Sequence, residues 1–114
     1  MEDSTTPTAE AYATVLGNEA TPEMRRMLVA HHDAERRTLT AEGLSASVGR
    51  RRSKHWANRV YGKLGRLVGE RLQFTPFSVH VGSLVLFGGN RHVITWTMRP
   101  EVSRALELLG WVEG

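Results

Sequence analysis

With 114 residues, 40% of them hydrophobic, the chain has room for one domain with one core and enough apolar side chains to form it. It has no cysteine, which removes disulfide staples, zinc ribbons and thiol chemistry together. The formal net charge of +3 hides a segregation: residues 1–24 carry five carboxylates and no Lys or Arg, residues 25–72 carry 12 Lys/Arg against four carboxylates, and residues 73–114 balance three against three.

Residues 1–8 are polar, contain Pro7, and read as a disordered acidic tail, leaving 9–114 as a single domain. No apolar h-region follows Met1, and no apolar run approaches the roughly 20 residues that span a bilayer. A soluble, cytoplasmic protein without membrane contact is expected. Ala11, Tyr12, Val15 and Leu16 fit a short helix, although Tyr-Ala-Thr-Val-Leu would also serve as a strand. Thr21-Pro22-Glu23 is a helix start: a capping hydroxyl, a proline where no N–H is needed, and a carboxylate at the positive end of the dipole. Met24, Met27, Leu28 and His31 then recur at helical spacing and predict a helix to about Arg37. Within it, His31 should be partly buried and His32 solvated. His31-His32-Asp33 is not a metal site, because neighbouring helix residues diverge by about 100°.

Thr40 caps a second, shorter helix through Leu44 and Val48, and Gly49 turns the chain. Ser53 caps the third and longest, to about Leu72. Ala57, Val60, Tyr61, Leu64, Leu67, Val68 and Leu72 share one face, and His55, Asn58, Arg59, Gly62, Arg66 and Gly69 fall opposite. From Arg50 to Arg66 there are seven cations and no carboxylate. A mixed, merely solvated surface seldom shows such a run, and a polyanion is the natural partner.

Beyond Pro76 the period changes. Val79, Val81, Val85 and Phe87 predict one strand, Gly88-Gly89-Asn90 a turn, and Val93, Ile94, Trp96 and Met98 the returning strand. Arg99-Pro100-Glu101 opens a short helix that Gly110 ends before Trp111 and Val112, which should plug the core. The expected fold class is α+β, mostly α.

Helix, short helix, turn, long basic helix and hairpin follow each other here as in a winged helix-turn-helix, which the chain resembles over about Thr21 to Met98. Tyr61-Gly62-Lys63-Leu64-Gly65-Arg66, with Arg99-Pro100-Glu101 and Leu109-Gly110-Trp111, also resembles small accessory domains that accompany bacterial HNH endonucleases. The resemblance implies three helices, a β-hairpin wing and a short C-terminal helix, with DNA recognition as the role. Cleavage is not implied, since the strand-helix framework of an HNH nuclease is missing.

In a helix-turn-helix the second helix of the motif enters the major groove. Transferred to this chain, His55, Asn58, Arg59 and Gly62 lie nearest the bases, with Asn suited to adenine and Arg to guanine. Arg50, Arg51, Arg52, Lys54, Lys63 and Arg66 contact phosphates, and Asn90 and Arg91 form the tip of the wing, where an arginine can enter the minor groove. Trp56, Trp96 and Trp111 read as core residues rather than stacking platforms. No nucleophile elbow, Walker loop or paired-carboxylate cleft is present. The expected function is therefore a non-catalytic double-stranded DNA-binding protein without cofactor, a small transcriptional regulator or recognition module. A protein-interaction or anti-defence adaptor of the same fold is the alternative. RNA is a weaker candidate because the strand aromatics are only Phe87 and Trp96.

Overall fold

Four hydroxyl side chains set where the first four helices begin. In the computed structural model, which describes residues 6–51 and 53–113, Thr8 accepts a hydrogen bond from the N–H of Ala11 at the start of α1 (Ala9–Glu19). Thr21 does the same for Met24 at the start of α2 (Pro22–Asp33), and Thr40 for Gly43 at the start of α3 (Ala41–Ser47). Ser53 accepts from His55 at the start of α4 (Lys54–Leu72). Each cap satisfies an N–H that has no intrahelical partner, so these boundaries are local properties of the sequence. The ambiguous first segment is helical, with Tyr12 and Leu16 fully buried. Of the tail expected over residues 1–8, residues 1–5 lie outside the described residues.

Two strands, β2 (Val85–Gly89) and β3 (Ile94–Met98), form a hairpin before α5 (Pro100–Leu108). A two-residue strand β1 (Thr38–Leu39) adds to β3, giving an antiparallel sheet ordered β1-β3-β2. The fold is thus α+β and mostly helical, with five helices and one small sheet among the described residues.

Several expectations need correction. The helix predicted to Arg37 ends at Asp33, because Glu35-Arg36-Arg37 offers nothing apolar to hold it on the core; Arg36 and Arg37 turn to positive φ (56° and 57°) and deliver the chain to β1. The strand predicted from Val79 starts only at Val85, since Pro76–Ser78 and His80–Ser83 wind into 3-10 turns packed on α4. Gly88 and Gly89 belong to β2, and the turn is made by Asn90 to Val93, with Asn90 Oδ1 accepting from the N–H groups of His92 and Val93. Gly69, expected on the outer face of α4, is buried against the carbonyl of Phe74.

Buried polar groups tie the layers together. Ser45 Oγ accepts from Ala57 N–H (3.0 Å) and docks α3 on the start of α4. Ser83 Oγ donates toward the carbonyls of Gly65 and His80, while its own carbonyl accepts from Tyr12 OH (2.6 Å). Arg99, 6% exposed, donates from Nε to the Gly82 carbonyl and lies over the Phe74 ring. His31 is fully buried, with Nδ1 2.9 Å from Tyr61 OH and Nε2 3.0 Å from the Trp96 carbonyl; the carbonyl can only accept, so Nε2 carries the proton and Nδ1 accepts from the tyrosine. The Tyr61 ring stacks in turn on Trp96.

His32, expected in solvent, is 4% exposed and its Nε2 has no hydrogen-bond partner among the described residues. Burial holds both histidines below the ordinary imidazole range, with nearby Arg37 adding to the effect at His32. The unfolded chain therefore binds more protons than the fold once pH drops below about 6.5, and stability present above that value is lost as pH falls towards the folded pKa values. We expect the urea midpoint to fall on acidification from neutral pH, and His32→Leu to flatten part of that fall; equal pH slopes for both proteins would contradict this account.

Candidate nucleic-acid interface

The core face of α4 decides what its other face can do. Ala57, Val60, Tyr61, Leu64 and Val68 are buried against α1, α2, α3 and the sheet. Their spacing leaves Lys54, His55, Asn58, Arg59, Lys63 and Arg66 exposed on the outward side. At the helical rise of 1.5 Å per residue, Lys54 to Arg66 spans about 18 Å. Gly62 sits mid-way, and a Cβ built there would meet nothing within 4 Å. Arg50 and Arg51, just before the helix, are exposed as well, whereas Arg52 lies outside the described residues.

Among the described residues, ion pairs occupy only the ends of this basic face. Arg50 lies 4.0 Å from Glu23, and Arg66 is 3.2 Å from Glu70 one turn on. Both pairs are exposed and screened by solvent, so a phosphate can displace either carboxylate at little cost. Trp56, half-buried at the edge of the face, has the Arg50 guanidinium 4.0 Å and the Arg59 guanidinium 6.0 Å from its ring. That ring orders two cations which would otherwise fan out. The sequence offered one hint of this, the placing of Trp56 on the boundary between faces, but not the approach of Arg50 from outside the helix.

The other flank of the face was not foreseen. Lys54 and Asn58 border a groove of about 1050 Å³ whose far wall is the hairpin, with Phe87, His92, Val93 and Ile94 along it. The apolar inner face of the sheet extends past the core here, so that Phe87 is 40% and Ile94 59% exposed. Exposure of an apolar strand residue depends on what packs against it and leaves no mark in its own sequence. Of the two residues expected at the wing tip, Arg91 is exposed, while Asn90 has its side-chain oxygen committed to the turn. Neither lines the groove; His92 does.

Among the described residues, no three His, Cys, Asp or Glu side chains gather as a metal site and no helix is long and apolar enough to cross a membrane. Trp96 is buried and Trp111 half-buried against the core, the latter under the Arg25 guanidinium. No protein-family model, curated protein or solved structure matches the chain.

Proposed function

We propose that this chain is a non-catalytic double-stranded DNA-binding module of winged-helix type, with α4 as the reading helix and the β2–β3 hairpin as the wing. The observation that carries the reading is the outward face of α4: six exposed polar or cationic side chains around a glycine with open space above it, on a helix otherwise anchored in the core. The succession α2, β1, α3, α4, β2, β3, with the sheet ordered β1-β3-β2, supports the winged-helix part. On this reading His55, Asn58 and Arg59 meet base edges, and Arg50, Arg51, Lys54 and Lys63 hold phosphates. A small regulator, or the recognition part of a larger system, would use such a surface.

Binding to duplex DNA should weaken with salt, with a log–log slope of about −4.5 to −6 for five to seven neutralised phosphates. Within that binding, Arg59→Ala or Asn58→Ala is expected to cost about 1–3 kcal/mol at the preferred site and much less on random duplex, while Arg51→Ala weakens both alike. Equal losses from all three would leave no base readout, and absence of binding at low salt would end the DNA reading. A protein-interaction module is the second reading, favoured by Phe77, Val79, Phe87 and Ile94, apolar side chains at 72%, 45%, 40% and 59% exposure near the hairpin. Co-purification of a partner with no DNA binding would select it.

A further inference from the structure

We propose that the groove between α4 and the hairpin is the docking site for an acidic amphipathic helix of a partner protein. Val81 and Trp96, both nearly buried, form its floor, with the Trp96 ring stacked on Tyr61. Phe87, Val93 and Ile94 form the hairpin wall. Phe87 is the register partner of Trp96, and Ile94 precedes Trp96 by two residues, so all three point to one face of the sheet. The face that builds the core therefore continues beyond it, and there it is uncovered: Phe87, Val93 and Ile94 are all exposed.

The wall is already in place before anything binds. β3 is paired on one side with β1 and on the other with β2. At the tip, Asn90 Oδ1 accepts from the N–H groups of His92 and Val93 and fixes the turn. Little ordering of the groove would oppose binding, and covering its apolar side chains removes them from water.

Size and charge select the occupant. At about 1050 Å³ and open to solvent, the groove is larger than the roughly 300–1,000 Å³ of small-molecule sites. It suits the apolar side chains of one helix, spaced i, i+3 or i+4, and i+7. A duplex presents mainly phosphates and base edges, which gain little from such a wall. Opposite the hairpin, Lys54 and Asn58 line the groove from α4. They are the margin of a stretch with seven cations and no carboxylate between Arg50 and Arg66. Glu42, at the α3 end, is the one carboxylate among the lining residues. A helix with apolar side chains towards Phe87 and Ile94 and carboxylates towards Lys54 matches both walls, and Glu42 disfavours an acid at its own end. Docking supplies the partner chemistry of the protein-interaction reading. It does not require α4 to enter a duplex, so the salt-dependent DNA titration can succeed or fail without it.

Panning a phage-displayed library of random peptides of about 16 residues, a little over four helical turns, on the full chain tests the site, with Ile94→Asp as the counter-target. Ile94 is 59% exposed, so the variant should keep its thermal midpoint. The expected peptides carry apolar residues at helical spacing beside Asp or Glu, and bind the wild type at least about tenfold more tightly than Ile94→Asp. A second measurement needs no variant: adding the most enriched peptide to the isotope-labelled wild type should shift the resonances of Phe87, Val93 and Ile94. No enrichment over the counter-target, enriched peptides without carboxylates, or shifts gathered elsewhere would overturn the proposal. Shifts of the same three residues on adding duplex DNA but not peptide would give the groove to nucleic acid instead. The same shifts on concentrating the chain alone would give it to a second copy.

Discussion

Gly65→Ala is expected to destabilise the fold by about 1–3 kcal/mol, the usual cost of overpacking, although alanine is the better helix former. A Cβ at Gly65 would collide with the backbone carbonyl oxygen of His80, and would stand 2.7 Å from its carbon and 3.2 Å from Val81 Cα. That carbonyl cannot step aside alone, since Ser83 Oγ is 3.0 Å from both it and the Gly65 carbonyl and fastens the turn to the helix. Moving the turn would draw Val81 and Leu84, 7% and 1% exposed, out of the core. Gly62→Ala, less than one turn earlier, is expected to have the opposite sign. With nothing within 4 Å of the new methyl, only the helix preference acts, a gain of up to about 1 kcal/mol. Urea denaturation of the two variants measures the contrast, and a Gly65→Ala protein as stable as Gly62→Ala would mean that the turn does not rest on α4. If α4 lies in a DNA groove, Gly62→Ala should at the same time weaken binding, separating fold from function at one atom.

Replacing His31 should cost more. In His31→Leu the hydroxyl of the fully buried Tyr61 loses its acceptor, and the carbonyl of Trp96, paired with Leu39 in the sheet, loses the histidine N–H. An unsatisfied buried hydroxyl costs about 1–3 kcal/mol and the second lost hydrogen bond about 1 kcal/mol, so a loss of roughly 2–4 kcal/mol is expected. Against a total stability of about 5–15 kcal/mol, that brings the variant close to unfolding at moderate temperature. Tyr61→Phe provides the cycle: it leaves His31 Nδ1 without a donor, and the double variant should cost clearly less than the two single losses added. Strict additivity would mean that the pair contributes nothing, and α2 and α4 would be held by apolar packing alone.

The cationic face of α4 was legible because it rests on a periodicity contained within one helix. Ala57, Val60, Tyr61 and Leu64 are buried as their spacing requires, and Lys54, Asn58, Arg59 and Lys63 are left outside. The groove beside it was not legible. It exists because the inner face of the hairpin runs beyond the last side chain that covers it, and no residue of β2 or β3 records where that cover ends.

Sequence alone determined the helix starts at Thr21, Thr40 and Ser53, the turn at Gly49 with its φ of +78°, and the two faces of α4 apart from Gly69, because each depends on partners within a few residues along the chain. Tertiary structure alone decided the rest. Gly62 and Gly65 are the same residue in one helix, yet one faces open space and the other a carbonyl 15 positions away. His31 finds its partners 30 and 65 residues along the chain, whereas Nε2 of its neighbour His32 finds none. β1 becomes a strand only because β3, 59 positions on from Thr38 at Thr97, offers it a ladder. Hydrogen bonds and van der Waals contacts act over a few ångströms of space, and only the folded chain settles which distant residues come within that range.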